Sequence, residues 1–377
     1  MAWLSGLKGT VQKFARVEHP RAERRPASGL AARYGLDSTS APAVIKNISD
    51  TGIYLVTEKR LRTGESITLT LAEEGEPENG SDLQITVHAR VARQGDDGIG
   101  LSFVLPPGMD TNLWAVLVRN IVVLTDQSQI AQMFRTLRAI LFLCRICGSE
   151  AEEAILLLGG HLDADRTAAV VKIAISAENL LASEPDADRM RAHPKLVASI
   201  LREGSWSWSV DEVVMQLWVG LLVSSCSLDA PDDSNQLLVN LLIHMTPNHA
   251  KILIHGCKRE LDSDREGENS PSASIILNME EMVALTGQPD ITRNATTVAH
   301  LFYLGMIPKN FNFTSYLFEE NIESFNITPT RLALTLFKHC HGDREKIEPQ
   351  LVEEATAHLV NFAASFNASA PDKQTSR

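Results

Sequence analysis

Cysteine is scarce in this chain: five residues in 377, an odd number with no framework spacing. That excludes a disulfide-stapled secreted domain, and a reducing cytoplasmic setting is the expectation. Long apolar runs are missing as well. The two most apolar stretches, LWAVLVRNIVVL (113–124) and LRAILFLCRIC (137–147), each contain arginine and are shorter than the roughly 20 residues a membrane-spanning helix needs. Both read as buried helices. The opening residues MAWLSGLKG show neither the apolar core nor the cleavage site of a secretory signal. Positive charge is outnumbered, 35 Lys and Arg against 47 Asp and Glu for a net charge of -12, which argues against nucleic acid as a partner. Catalytic patterns are missing too. There is no HExxH, no GxSxG and no second CxxC beside Cys144-x-x-Cys147. That lone pair sits in an apolar helical run and reads as packing, even with Cys340 and His341 considered as further metal ligands. The glycine pair at 159–160 follows a helical run rather than a strand, so it is no phosphate loop. No enzyme and no cofactor are expected.

What is present is an ordinary globular mixture, 44% hydrophobic and 22% charged, in a chain long enough for two domains. Residues 1–19 hold a short amphipathic helix and a leader. Trp3, Leu4, Leu7, Val11 and Phe14 form its apolar stripe, and Lys8, Lys13 and Arg16 lie off it. Such a helix (3–16) can make a peripheral membrane contact or bind a partner, although docking on its own protein is the commoner fate. Six short strands follow, at 29–36, 41–49, 52–57, 64–72, 83–94 and 99–104, separated by turns and by a polar Gly/Pro/Asn loop at 73–82. Their number and spacing predict an all-β, six-stranded antiparallel barrel over 20–105. Beyond LPPGMD (105–110) the period changes. Helices are predicted from 111 to 345 as a larger all-α domain, with a C-terminal helix at 346–366 and a disordered tail at 367–377.

Positive charge, though outnumbered, is concentrated. Residues 1–35 carry seven Lys and Arg against two Glu, a net +5. Within that stretch RAERR (21–25) precedes NISDTG (47–52). Arginine offers phosphate a planar fork of donors and also stacks on aromatic rings. Two arginines with three residues between them can close on one ligand from two sides. Asn47 offers an amide to a base edge, Ser49 a hydroxyl, and Gly52 a tight turn with positive φ. The set suits a ligand with several phosphates and exposed purines.

Arg21-x-x-x-Arg25 followed by Asn47-x-Ser49-x-x-Gly52 resembles the paired motifs of the PilZ domain, RxxxR and [D/N]xSxxG. GIYL (52–55), TGESITLTL (63–71), VHARVAR (87–93) and GIGLSF (98–103) look like the later strands of that small barrel. The resemblance implies a receptor for cyclic di-GMP. Arg21 and Arg25 would grip phosphates and stack on guanine, with Arg24 adding a contact. Asn47 and Ser49 would bond guanine edges, and Gly52 would shape the turn. Pro26, directly after the arginines, departs from the pattern. A second resemblance covers about 160–345. DEVVMQLWVGLLVSS (211–225), the Thr246-Pro247 helix start, VAHLFYLGMI (298–307) and ITPTRLALTLFKHC (327–340) look like the Abi-alpha-like family of helical modules linked to abortive infection. The resulting expectation is a bacterial second-messenger receptor whose dinucleotide-bound barrel regulates a helical output domain with its own protein partner, in a stress or phage-defence response. The alternative is a non-enzymatic adaptor that uses the barrel as a scaffold.

Overall fold

Strands form where apolar residues alternate with polar ones. The computed structural model describes residues 30–35, 41–73, 84–109, 127–158, 162–206, 211–229, 232–265, 274–308 and 324–368, with isolated positions 111, 114, 115, 118 and 322. The predicted amphipathic helix at 3–16, the arginine leader and the tail beyond 368 lie outside the described residues, while residues 367 and 368, expected in the tail, still belong to the last helix. The chain divides into two units, Met1–Ala198 and Ser199–Arg377.

In the first unit β1 (Leu30–Gly35), β2 (Ala41–Ser49), β3 (Gly52–Val56), β4 (Ser66–Glu73), β5 (Gln84–Gln94) and β6 (Gly98–Val104) form the six strands. They close as β1-β2-β3-β6-β5-β4, every pair antiparallel. The β1–β4 pairing completes the ring, so no edge is left to pair with another chain. Ile67, Leu69 and Leu71 of β4 and Ile85, Val87, Ala89 and Val91 of β5 are buried, whereas Thr86, His88 and Arg90 are exposed. This is the period-2 pattern that one buried face requires. Tyr34 at the end of β1 is 2% exposed and its hydroxyl pairs with that of Thr57. Trp114 packs edge-on against Phe103 of β6, ring centroids 5.1 Å apart.

Helices α1 (Gln127–Cys147), α2 (Glu152–Leu156) and α3 (Ala164–Leu181) follow the barrel in the same unit. Asp163 caps α3 by accepting from Arg166 N–H. The Arg138–Glu178 ion pair, 2.6 Å, ties α1 to α3. Cys144 is fully buried in α1, and burial pushes its thiol up to about 12. It is a packing residue rather than a thiolate at neutral pH.

Helix α4 (Pro194–Gly204) carries the chain into the second unit, which contains α5 (Glu212–Ser224), α6 (Gln236–Leu242), α7 (Pro247–Arg265), α8 (Met279–Thr286), α9 (Ile291–Tyr303), α10 (Arg331–His339) and α11 (Pro349–Ala368). Asp211 caps α5 through Val213 and Val214 N–H. Beyond its first turn that helix is buried on nearly every face, with Val214, Trp218, Leu221 and Leu222 all at 2% exposure or less. Gly220 lets it approach the end of α10 closely, because a Cβ there would lie 1.7 Å from the Cys340 carbonyl oxygen. One feature of this unit departs from the helical pattern. Ile276–Asn278 and Ser324–Asn326 pair as a two-stranded antiparallel sheet, β7–β8, with Leu277 opposite Phe325 and both buried. The helix after β7 therefore begins at 279, behind a capping box made by Asn278 and Glu281. All five cysteines are free and buried. Among the described residues no helix is long and apolar enough to cross a membrane, and no cluster of His, Cys, Asp or Glu could hold a metal ion.

Candidate functional site

The motif residues Asn47, Ser49 and Gly52 lie on the β2–β3 hairpin, where Ser49 pairs with Gly52 across a two-residue loop of Asp50 and Thr51. Two isoleucines decide how β2 presents them. Ile45 and Ile48 are both buried in the barrel, yet they stand three residues apart, an odd spacing that a regular strand cannot place on one face. The strand resolves this with a bulge between Ile45 and Asn47, which makes Lys46 the extra residue. Register resumes with Asn47 opposite Tyr54, Ile48 opposite Ile53 and Ser49 opposite Gly52. Asn47 and Ser49 thereby face outward, half-buried. The Ser49 hydroxyl donates to the Gly52 carbonyl oxygen at 3.1 Å. The Asn47 amide has no hydrogen-bond partner among the described residues, so its donors and acceptor are open to a ligand.

Gly52 serves the site for a different reason than the expected positive φ. Among the described residues the glycines with positive φ are Gly64, Gly108, Gly148, Gly287, Gly305 and Gly342, and Gly52 is not one of them. A Cβ at Gly52 would instead lie 2.1 Å from the Leu101 carbonyl oxygen. Glycine is needed because β3 and β6 approach closely there, with Gly52 opposite Ser102. Gly98 does the same at the other end of this ladder, where a Cβ would lie 1.9 Å from the Leu55 carbonyl oxygen.

The ladder extends the motif sideways. Asn47 pairs with Tyr54, Tyr54 with Gly100, and Gly100 with Arg93. Directly paired residues share a face, so this row runs across the outside of β2, β3, β6 and β5. One step along, Ser49, Gly52, Ser102, Arg90 and Ser66 make a parallel row. Tyr54 anchors the first row. Its hydroxyl donates to Asp97 Oδ1 at 2.8 Å, and Lys46, pushed out by the bulge, pairs with Asp97 Oδ2. The Lys46 ammonium lies 5.6 Å and the Arg93 guanidinium 5.5 Å from the centre of the Tyr54 ring. The lysine and then the tyrosine hydroxyl, both bonded to Asp97, hold its carboxyl below the usual range. The hydrogen bond to Asp97 raises Tyr54 and Lys46 in turn. Lys46, Arg93 and Asp97 together thus carry one net positive charge beside the Tyr54 ring, on an acidic protein.

Sequence reasoning named Asn47, Ser49 and Gly52, and the hairpin brings these together. Arg21, Arg24 and Arg25 lie outside the described residues. Tyr54, Arg93 and Asp97 were missed. Their signal is weak in the sequence, because two bulges, at Lys46 and between Val91 and Arg93, shift the register that would align them.

Residues 18–120 match the model of the PilZ domain family, just over a quarter of the chain. The match takes in the arginine leader, the whole barrel and Trp114. No curated protein matches the chain.

Proposed function

We propose that the chain is a cyclic di-GMP receptor. The observation that carries this is the outward presentation of Asn47 and Ser49 beside a net-positive row, within a stretch matching a family of cyclic di-GMP receptors. In this reading Arg21 and Arg25, four residues apart, take phosphates and stack on guanine, with Arg24 adding a contact. The free Asn47 amide and the Ser49 hydroxyl bond guanine edges, and Gly52 keeps β3 tight against β6 so that the hairpin holds its shape.

Binding holds the leader against the barrel. Residues 3–16 continue from that leader, so their docking on protein or membrane changes with occupancy. The helical region is the output and acts through a protein partner in the cytoplasm. Its likeness to the Abi-alpha-like family directs that output toward stress or phage defence.

A ligand that binds only the folded protein raises its unfolding temperature with concentration. Cyclic di-GMP is expected to do so, and GMP, which lacks the second phosphate and second purine, far less. An unfolding temperature that ignores cyclic di-GMP up to millimolar concentration overturns the proposal. For the coupling, hydrogen exchange with and without ligand is expected to change in the helices as well as in the barrel. A change confined to the barrel overturns the regulatory part alone.

A further inference from the structure

We infer that Arg93 is a phosphate-binding residue of this site, aimed at the motif by a seat that the barrel builds for it. The inference rests on the cyclic di-GMP reading and names a contact that RxxxR and NxSxxG do not contain. Three observations carry it.

The first is register. Val91 is buried and faces the barrel interior, so an unbroken strand would turn Arg93, two residues on, inward as well. The bulge between Val91 and Arg93 reverses this and sets Arg93 opposite Gly100, exposed, in the row that ends at Asn47. The second is space. A Cβ on Gly100 would stand 2.8 Å from Arg93 Cγ and 3.0 Å from Arg93 Nε. The arginine stem therefore lies flat across β6 in the gap where a side chain would be. Its guanidinium reaches the ring of Tyr54, the direct neighbour of Asn47. The third is charge. Asp97, the carboxylate of the cluster, is taken by Lys46 and Tyr54. Among the described residues Arg93 has no acidic partner. Its guanidinium lies instead over the Tyr54 ring, which is itself held by Asp97.

A guanidinium resting on an aromatic face keeps its N–H donors free at the edge, where they form charge-assisted bonds to phosphate. Two features of the backbone, a bulge and a glycine, direct one cation toward the motif. A solvated surface arginine needs neither. Arg93 would thus meet the dinucleotide from the β5 side.

Calorimetric titration of the full chain with cyclic di-GMP tests this with four proteins: native, Arg93→Ala, Gly100→Ala and the double variant. Arg93→Ala is expected to weaken binding tenfold or more, the usual scale for one charge-assisted bond. Gly100→Ala keeps the charge but displaces the arginine, and is expected to weaken binding by a similar factor. The double variant should be no weaker than Arg93→Ala alone, since both changes remove one contact. Far-UV circular dichroism checks that each variant is folded. Native-like affinity in a folded Arg93→Ala overturns the inference and leaves the receptor reading intact, as do additive losses in the double variant. Absence of binding by the native chain overturns both.

Discussion

Gly52→Ala is the sharpest structural perturbation of the site. If Gly52 were kept for a positive φ, alanine would cost about 1–2 kcal/mol through local strain alone. The close approach of β3 and β6 predicts more. The alanine Cβ would lie 2.1 Å from the Leu101 carbonyl oxygen, and real Cβ contacts essentially never fall under 3.0 Å, so two paired strands must separate by roughly an ångström. The obstacle is backbone on both sides, which cannot rotate away as a side chain can. Overpacking of this kind costs about 1–3 kcal/mol. Weakening the nearby Phe103 N–H to Thr51 O bond, 3.1 Å, adds about 1 kcal/mol. The total is about 2–4 kcal/mol. Hydrogen exchange of the β3 and β6 amides reads the barrel separately from the helices, and protection there should fall about 30- to 1,000-fold. Gly98→Ala, with the same backbone obstacle at the other end of the ladder, should match it. Gly64→Ala, at φ +90 with nothing within 4 Å, should cost only the local strain. Native protection in Gly52→Ala, or an effect no larger than that of Gly64→Ala, would refute the close-approach explanation.

Asn47→Ala should weaken cyclic di-GMP binding at least tenfold while leaving barrel protection unchanged, because the amide is bonded to nothing among the described residues; calorimetry paired with hydrogen exchange checks both halves. Gly220→Ala should unfold or strongly destabilise the second unit, since its Cβ would lie 1.7 Å from the Cys340 carbonyl oxygen, and circular dichroism of the full chain would show the helical loss. His249 gives a pH prediction. Burial, with a smaller contribution from His300 at a ring distance of 5.2 Å, depresses its folded pKa to about 4. A depressed value means the unfolded chain binds the proton first, so stability is full above about 6.5 and is lost as the pH falls toward 4. Between pH 7.5 and 4.5 this amounts to about 2–3 kcal/mol. His249→Asn keeps an acceptor for the Thr246 N–H that His249 Nδ1 now accepts at 3.0 Å and should flatten the profile, as exchange in α7 measured across that range would reveal.

Much of the barrel was legible because its strands obey one period. Ile67-Leu69-Leu71 and Ile85-Val87-Ala89-Val91 alternate without error, and turns fall between them at Asp50–Thr51 and at Asp96–Asp97. The hairpin could be read because Asn-x-Ser and Gly stand on either side of it. What escaped depends on exceptions to the period. The bulge at Lys46 shows in the sequence only as Ile45 and Ile48 three residues apart. The bulge before Arg93 leaves no comparable trace, since Ala92, Arg93 and Gln94 are all exposed. Gly52 was legible as a requirement, but its cause was not, because the obstructing carbonyl belongs to a strand almost fifty residues away. The β7–β8 pair was invisible for a similar reason. Three-residue strands carry no period of their own, and Leu277 and Phe325 become strand residues only by meeting each other.

Recognition of cyclic di-GMP is tested most directly by calorimetric titration of the native chain beside Arg25→Ala. Saturable heat with the native protein, lost or weakened by orders of magnitude when the leader arginine is removed, is the expected result. No heat from the native chain, or equal affinity in Arg25→Ala, would contradict it.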